Sequence, residues 1–165
     1  MTSEIISMIA NLALALSFIV GLIFGIAQVR TAERDRRERY TVDVLREFQT
    51  REFVGLMQFV NTHELPPTRT GFLALSAEDQ TKYFQYAQEM ESLGILVAEK
   101  LISLDLVDKT LGSFVTTTWE KYKAGFSDMR EKTPDPYLGE YFQWLAEQIE
   151  KRMRETPRKP FYQAS

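Results

Sequence analysis

The chain has 165 residues, with 20 bases, 23 acids, one histidine and no cysteine, for a net charge of −3. Without cysteine there is no disulfide framework and no thiolate metal site. Bases and acids this evenly balanced leave no electrostatic footprint for nucleic acid.

Residues Ile5 to Val29, IISMIANLALALSFIVGLIFGIAQV, form one apolar run of 25 positions without a charge or a proline. A helix rises about 1.5 Å per residue, so roughly 20 such residues cross the hydrocarbon of a bilayer. The run predicts a single transmembrane helix. Two other readings compete. A secretory signal peptide wants a basic n-region and a shorter apolar core; Gly25 and Ala27 mimic its cleavage site, but the flank before the run carries only Glu4. A buried helix of a soluble protein fits neither the length nor the arginines that follow.

Those arginines are Arg30, Arg34, Arg36, Arg37 and Arg39, set among Glu33, Asp35 and Glu38. Bases near the end of a span mark its cytoplasmic side. Their count, none before the run and five within ten residues after it, predicts the N-terminus outside and the remainder in the cytoplasm. The same side chains can meet anionic lipid head groups, and the interleaved acids allow helix ion pairs such as Glu33 with Arg37.

Within the run, Ala13, Ser17, Gly21 and Gly25 follow one another at i,i+4. The spacing predicts a small-residue face on which two spans can pack closely, and so self-association of the chain through its span. Asn11 adds a polar group that favours a partner.

Beyond the run the pattern is helical throughout. Arg30 to Phe53 holds neither Gly nor Pro, so the membrane helix is expected to continue as one rod. Tyr40, Val44, Leu45, Phe48, Leu56, Phe59 and Val60 form its apolar stripe. Asn61 to Leu75 reads as a break, with Pro66, Pro67 and Gly71. Ser76 is the expected N-cap of a helix reaching about Ile102 and burying Tyr83, Phe84, Ala87, Met90, Leu93, Leu96 and Val97. Ser103 caps a short helix to Leu111, Gly112 punctuates, and Ser113 to Arg130 forms the next helix, with Phe114, Trp119, Tyr122 and Phe126 for the core. Thr133 to Pro136 is a turn. Tyr137 to Arg154 is the last helix, with Leu138, Tyr141, Phe142, Leu145, Ile149 and Met153 at helical spacing. The division expected is an anchor over 1–29, a basic juxtamembrane helix over 30–60 continuing into the bundle, a helical domain over 61–156 and a frayed tail over 157–165.

Side chains that carry chemistry are sparse. His63 stands alone in a loop, and no nucleophile elbow supports a triad. Asp105 and Asp108 share a helix face, and Glu78 adjoins Asp79; each pair lies at a helix start, where acids favour the dipole. No phosphate-binding glycine loop and no metal-ligand spacing occurs. The aromatics fall on helical periods and read as core rather than as a base-stacking platform. No catalytic residue, cofactor site or metal site is expected.

The order Glu91-Ser92-Leu93-Gly94, Asp105-Leu106-Val107, Gly112, Trp119, Arg130, Pro136-Tyr137 and Phe142-Gln143-Trp144-Leu145-Ala146 resembles the DUF4760 family of bacterial proteins, over about residues 30 to 150. The resemblance implies a membrane helix followed by a small all-helical cytoplasmic domain of unknown function. It implies no activity. Gln143 stands where the resemblance leads one to expect an acid. Arg130 and Trp119 are expected to make a buried polar-aromatic contact in that domain, and Phe142 and Trp144 to be structural.

The fold expected is all-α, a single N-terminal transmembrane helix and a helical bundle. The leading functional expectation is a scaffold or interaction protein of the inner membrane, in contact with the lipid bilayer, with itself and with an unknown protein partner. The alternatives are a membrane-acting effector that oligomerises through its span, and an enzyme.

Overall fold

Helix α1 runs unbroken from Thr2 to Glu47 in a computed structural model that describes residues 2–163. The helices that follow are α2 (Arg51–Thr62), α3 (Arg69–Leu73), α4 (Ala77–Ala98), α5 (Leu104–Lys132) and α6 (Glu140–Glu155), with one 3-10 turn at Phe161–Gln163 and no strand among the described residues. Chain contacts divide the protein into two units, one up to Arg39 and one from Tyr40 on.

The first unit is the greater part of α1. Every residue from 3 to 40 is exposed. An 18-residue window of α1 has mean hydropathy 2.4 and none of it is buried. By length and composition it is a helix that can cross a membrane.

The second unit is built on an aromatic centre. Tyr86 stacks on Tyr122 at 5.9 Å between centroids, Phe142 meets Tyr122 edge-on at 5.7 Å, and Trp119 meets Phe142 at 5.3 Å. Around them pack Phe53, Leu56 and Val60 of α2, Met90 and Leu93 of α4, Val115 of α5 and Leu145 and Ile149 of α6. Helix α6 lies against both α4 and α5. The last turns of α1 belong here too, through buried Thr41 and Leu45, with Phe48 just beyond them.

Several expected elements differ. The rod breaks at Phe48–Thr50, where the Thr50 hydroxyl caps α2 by accepting from the N–H of Phe53 at 3.2 Å. The expected break over Asn61–Leu75 contains α3, capped by Thr68. Helix α4 ends at Ala98 rather than near Ile102, with Lys100 left-handed at φ 58°. Gly112 does not interrupt: α5 passes through it, because its missing Cβ admits Asp108 and Ile149, whose atoms would lie 2.7 Å and 3.4 Å from one. Helix α6 starts at Glu140, three residues later than expected, after Gly139 at φ 70°. A Cβ there would lie 2.3 Å from the Phe126 ring, so glycine is required by backbone and space together. Phe84, Phe114 and Met153 are exposed, while Tyr86, absent from the expected stripe, is fully buried. The Ser76 cap forms as expected, accepting from the N–H of Asp79 at 3.1 Å, and Ser103 caps α5. Of the tail expected to fray, residues 157–160 carry no regular structure and the 3-10 turn follows; Ala164 and Ser165 lie outside the described residues.

Candidate functional site

Two arrangements stand out, one in each unit. In the first, Gly21 and Gly25 lie in a shallow apolar groove with Phe18, Leu22, Ile26 and Val29. A Cβ at either glycine would meet nothing within 4 Å. Ala13 and Ser17 do not line this groove. A helix turns about 100° per residue, so each i,i+4 step drifts about 40° and Ala13 lies roughly 120° round from Gly25. The groove holds the Gly21–Gly25 pair and its apolar rims. Arg30 closes one end of the groove, and Arg34, Arg36, Arg37 and Arg39 follow on the exposed helix, with Arg34 paired to Glu38 at 2.9 Å.

In the second unit, two of the segments that carried the family resemblance, Glu91–Gly94 and the one starting at Phe142, meet at one junction. Gly139 offers α6 no side-chain cap. Its first turn is capped from α4 instead: the carboxylate of Glu91 accepts from the N–H groups of Tyr141 at 3.2 Å and Phe142 at 2.8 Å. Gly94, one turn on, lets the backbone of Tyr141 approach so closely that a Cβ would lie 2.3 Å from its carbonyl oxygen. Glu91 and Gly94 thus dock α6 on α4. The sequence signal was the Glu91-Ser92-Leu93-Gly94 segment itself, but its partner lies 50 residues away and no local pattern names it.

Arg130 does not stack on Trp119. Its Nε donates to the Leu138 carbonyl at 2.8 Å and Nη1 to Oε1 of Gln143 at 2.7 Å, while the cation–π contact among the described residues is Lys82 over Phe59. Gln143, in the place of an expected acid, therefore still holds the arginine by accepting its hydrogen bond. Its amide in turn donates to Glu147 at 2.8 Å. Nη2 of Arg130 is buried without a hydrogen-bond partner among the described residues. Trp119 instead packs on Phe126 and Phe142. Phe142 is fully buried and Trp144 half-buried at the edge of the core.

The remaining polar groups hold helices together. Asp105 and Asp108 face Arg152 of α6 at 2.8 Å and 3.6 Å, so the pair ties α5 to α6 beyond favouring the start of α5. A hydrogen bond from Lys109, assisted by Arg152, draws the Asp105 carboxyl below its usual range. Lys121 donates to the carbonyls of Val60 and Asn61, both at 2.9 Å, at the end of α2. His63 is the C-cap of α2 and stacks on Phe59 at 4.3 Å. Tyr86 and Thr118 share a buried hydrogen bond of 3.0 Å, and burial pushes the Tyr86 hydroxyl up to about 12. Tyr122, raised by burial as well, donates to the Tyr83 carbonyl at 3.0 Å. These groups contact helix backbone, core or one another, and the Asp105, Asp108, Lys109 and Arg152 cluster that lines a groove is an ion-pair network without a nucleophile–base pair.

A family model described as "Domain of unknown function (DUF4760)" matches residues 15–149. Comparison with curated proteins and with solved structures found no match. The matched region begins inside the apolar run, earlier than the resemblance in the sequence reached.

Proposed function

Because the chain belongs to the DUF4760 family, a domain of unknown function, we propose its role from its own build: a single-pass membrane protein that presents a helical interaction domain at the cytoplasmic face. The observation that carries this reading is the apolar helix with no buried face. Its 18-residue window at mean hydropathy 2.4 finds no protein core to enter, and water disfavours such a surface by about 25 cal/mol per Å². Lipid is the environment that removes the cost. The family match supports retention of the helix, since it takes in more than half of the apolar run together with the helices that follow. A leader cut off near Ala27 would leave the family's own region truncated. The five arginines at 30–39, with none in the four residues before the run, favour the N-terminus outside.

The reading is non-catalytic: the polar clusters described in the second unit serve helix caps, ion pairs and core hydrogen bonds. The proposed partners are the bilayer, a second copy of the span and a cytoplasmic protein, not nucleic acid. Crosslinking and recovery of the full chain from native membranes tests it. Enrichment of a specific protein supports the scaffold reading, and recovery of the chain without a partner of any kind contradicts it.

A second reading, a membrane-acting effector that assembles through its span, draws on the open Gly21–Gly25 groove. Filling it by Gly21→Ile with Gly25→Ile should weaken self-association in a membrane two-hybrid reporter, whereas Ile19→Leu should not. Loss of association without loss of any cellular effect removes the support for an effector.

A further inference from the structure

We propose that the C-terminal end of the second unit, from Lys151 to Tyr162, binds an anionic lipid surface and gives the bundle a second hold on the membrane. The inference rests on the reading of α1 as a span. Between residues 150 and 159 stand five bases, Lys151, Arg152, Arg154, Arg158 and Lys159, against Glu150 and Glu155, in a chain whose net charge is −3. Only Arg152 is firmly engaged, with Asp105 at 2.8 Å. Arg154 and Lys151 have side chains 71% and 58% exposed, with loose pairings of 3.5 Å and 3.9 Å to acids of the same helix. Arg158 and Lys159 have no acidic partner among the described residues. Pro157 and Pro160 keep the segment from continuing α6, and Tyr162 is 81% exposed. Bases beside an exposed tyrosine match the chemistry of a membrane interface, where ammonium and guanidinium groups meet head groups and an amphipathic ring sits at their level.

The segment packs beside the first residues of the second unit. The Thr41 hydroxyl accepts from the N–H of Ser103 at 2.9 Å. Two residues on, Asp105 holds Arg152, and Pro157 and Arg158 line a groove with Asp105, Lys109 and Arg152. The basic tail therefore leaves the bundle on the side where Thr41, Ser103 and Asp105 meet.

The test uses the full chain in vesicles. Because the protein has no cysteine, Gln163→Cys takes a single environment-sensitive dye and Gln88→Cys serves as the control. Vesicles of phosphatidylcholine alone are compared with vesicles that also hold phosphatidylglycerol. The dye at 163 should shift to shorter wavelength and become accessible to a lipid-borne quencher only in the anionic vesicles, and the dye at 88 should not respond. The shift should vanish in about 1 M salt, where the screening length is about 3 Å, and in Arg154→Gln/Arg158→Gln/Lys159→Gln. An unresponsive tail in chains that still float with the vesicles overturns this proposal and leaves the anchor intact. Displacement by millimolar inorganic phosphate at constant ionic strength would assign the site to a free phosphate instead and overturn it too. Chains that do not float sink the anchor and this inference together.

Discussion

The carboxylate of Glu91 on α4 lies 2.8 Å from the N–H of Phe142 in the first turn of α6, fifty-one residues away in sequence. Backbone N–H groups at a helix start have no partner within the helix, and an acid there also meets the positive end of its dipole. Glu91→Ala should cost about 1–3 kcal/mol in denaturant unfolding. Glu91→Gln, which keeps one acceptor, should cost less. Equal losses would mean that the charge contributes nothing.

Three helical glycines should separate close packing from mere helix weakness. Gly94→Ala puts a methyl 2.3 Å from a backbone oxygen of α6 that has nowhere to go, so it should destabilise by about 3 kcal/mol. Gly112→Ala meets the tip of Asp108 at 2.7 Å; that side chain can swing aside, at the expense of Arg152, and the net effect should be small. Gly55→Ala meets nothing within 4 Å and should stabilise by about 0.5–1 kcal/mol. Thermal midpoints in that order support the packing described.

How far the sequence reaches is visible in these same residues. Capping serines at 76 and 103 were legible because their signal is local. Gly112 was misread because a glycine that breaks a helix and one that lets a neighbour close in look alike in one dimension. The break at Phe48–Thr50 carries neither Gly nor Pro; burial of Phe48 and the Thr50 cap impose it. The role of Glu91 was invisible, since its acceptors act on a helix not yet placed. The spacing of Gly21 and Gly25 was visible in the sequence, but not the apolar rims that make their groove.

At Arg130, Gln143→Ala should destabilise by about 1–3 kcal/mol, because a half-buried guanidinium group whose Nη2 already has no partner loses another. Gln143→Glu gains charge on Arg130 but sets two carboxylates together, since Gln143 now donates to Glu147. The single change should therefore be close to neutral, and Gln143→Glu/Glu147→Gln should exceed the original in stability. A double variant no more stable than the single one contradicts the arrangement.

Tyr86 gives the alkaline limit. Burial raises its hydroxyl from 10.0 to about 12 in the folded chain. The unfolded state then releases its proton first. Stability is whole below pH 10 and falls as pH rises from about 10 to 12, by on the order of 2–3 kcal/mol from this group. Unfolding by denaturant at pH 9, 10 and 11 should show the decline, and Tyr86→Phe should make it shallower, the remainder coming from Tyr122 and Tyr83, which burial also raises.

The account turns on α1 crossing a bilayer with the helical domain inside. Ser3→Cys and Gln163→Cys, each in the otherwise cysteine-free full chain, place one thiol on either side of the apolar run. A membrane-impermeant thiol reagent applied to intact cells should label position 3 and leave position 163 unlabelled until the cells are permeabilised, on chains that have kept their full length. Labelling of 163 in intact cells, or recovery of a chain cut near Ala27, would contradict it.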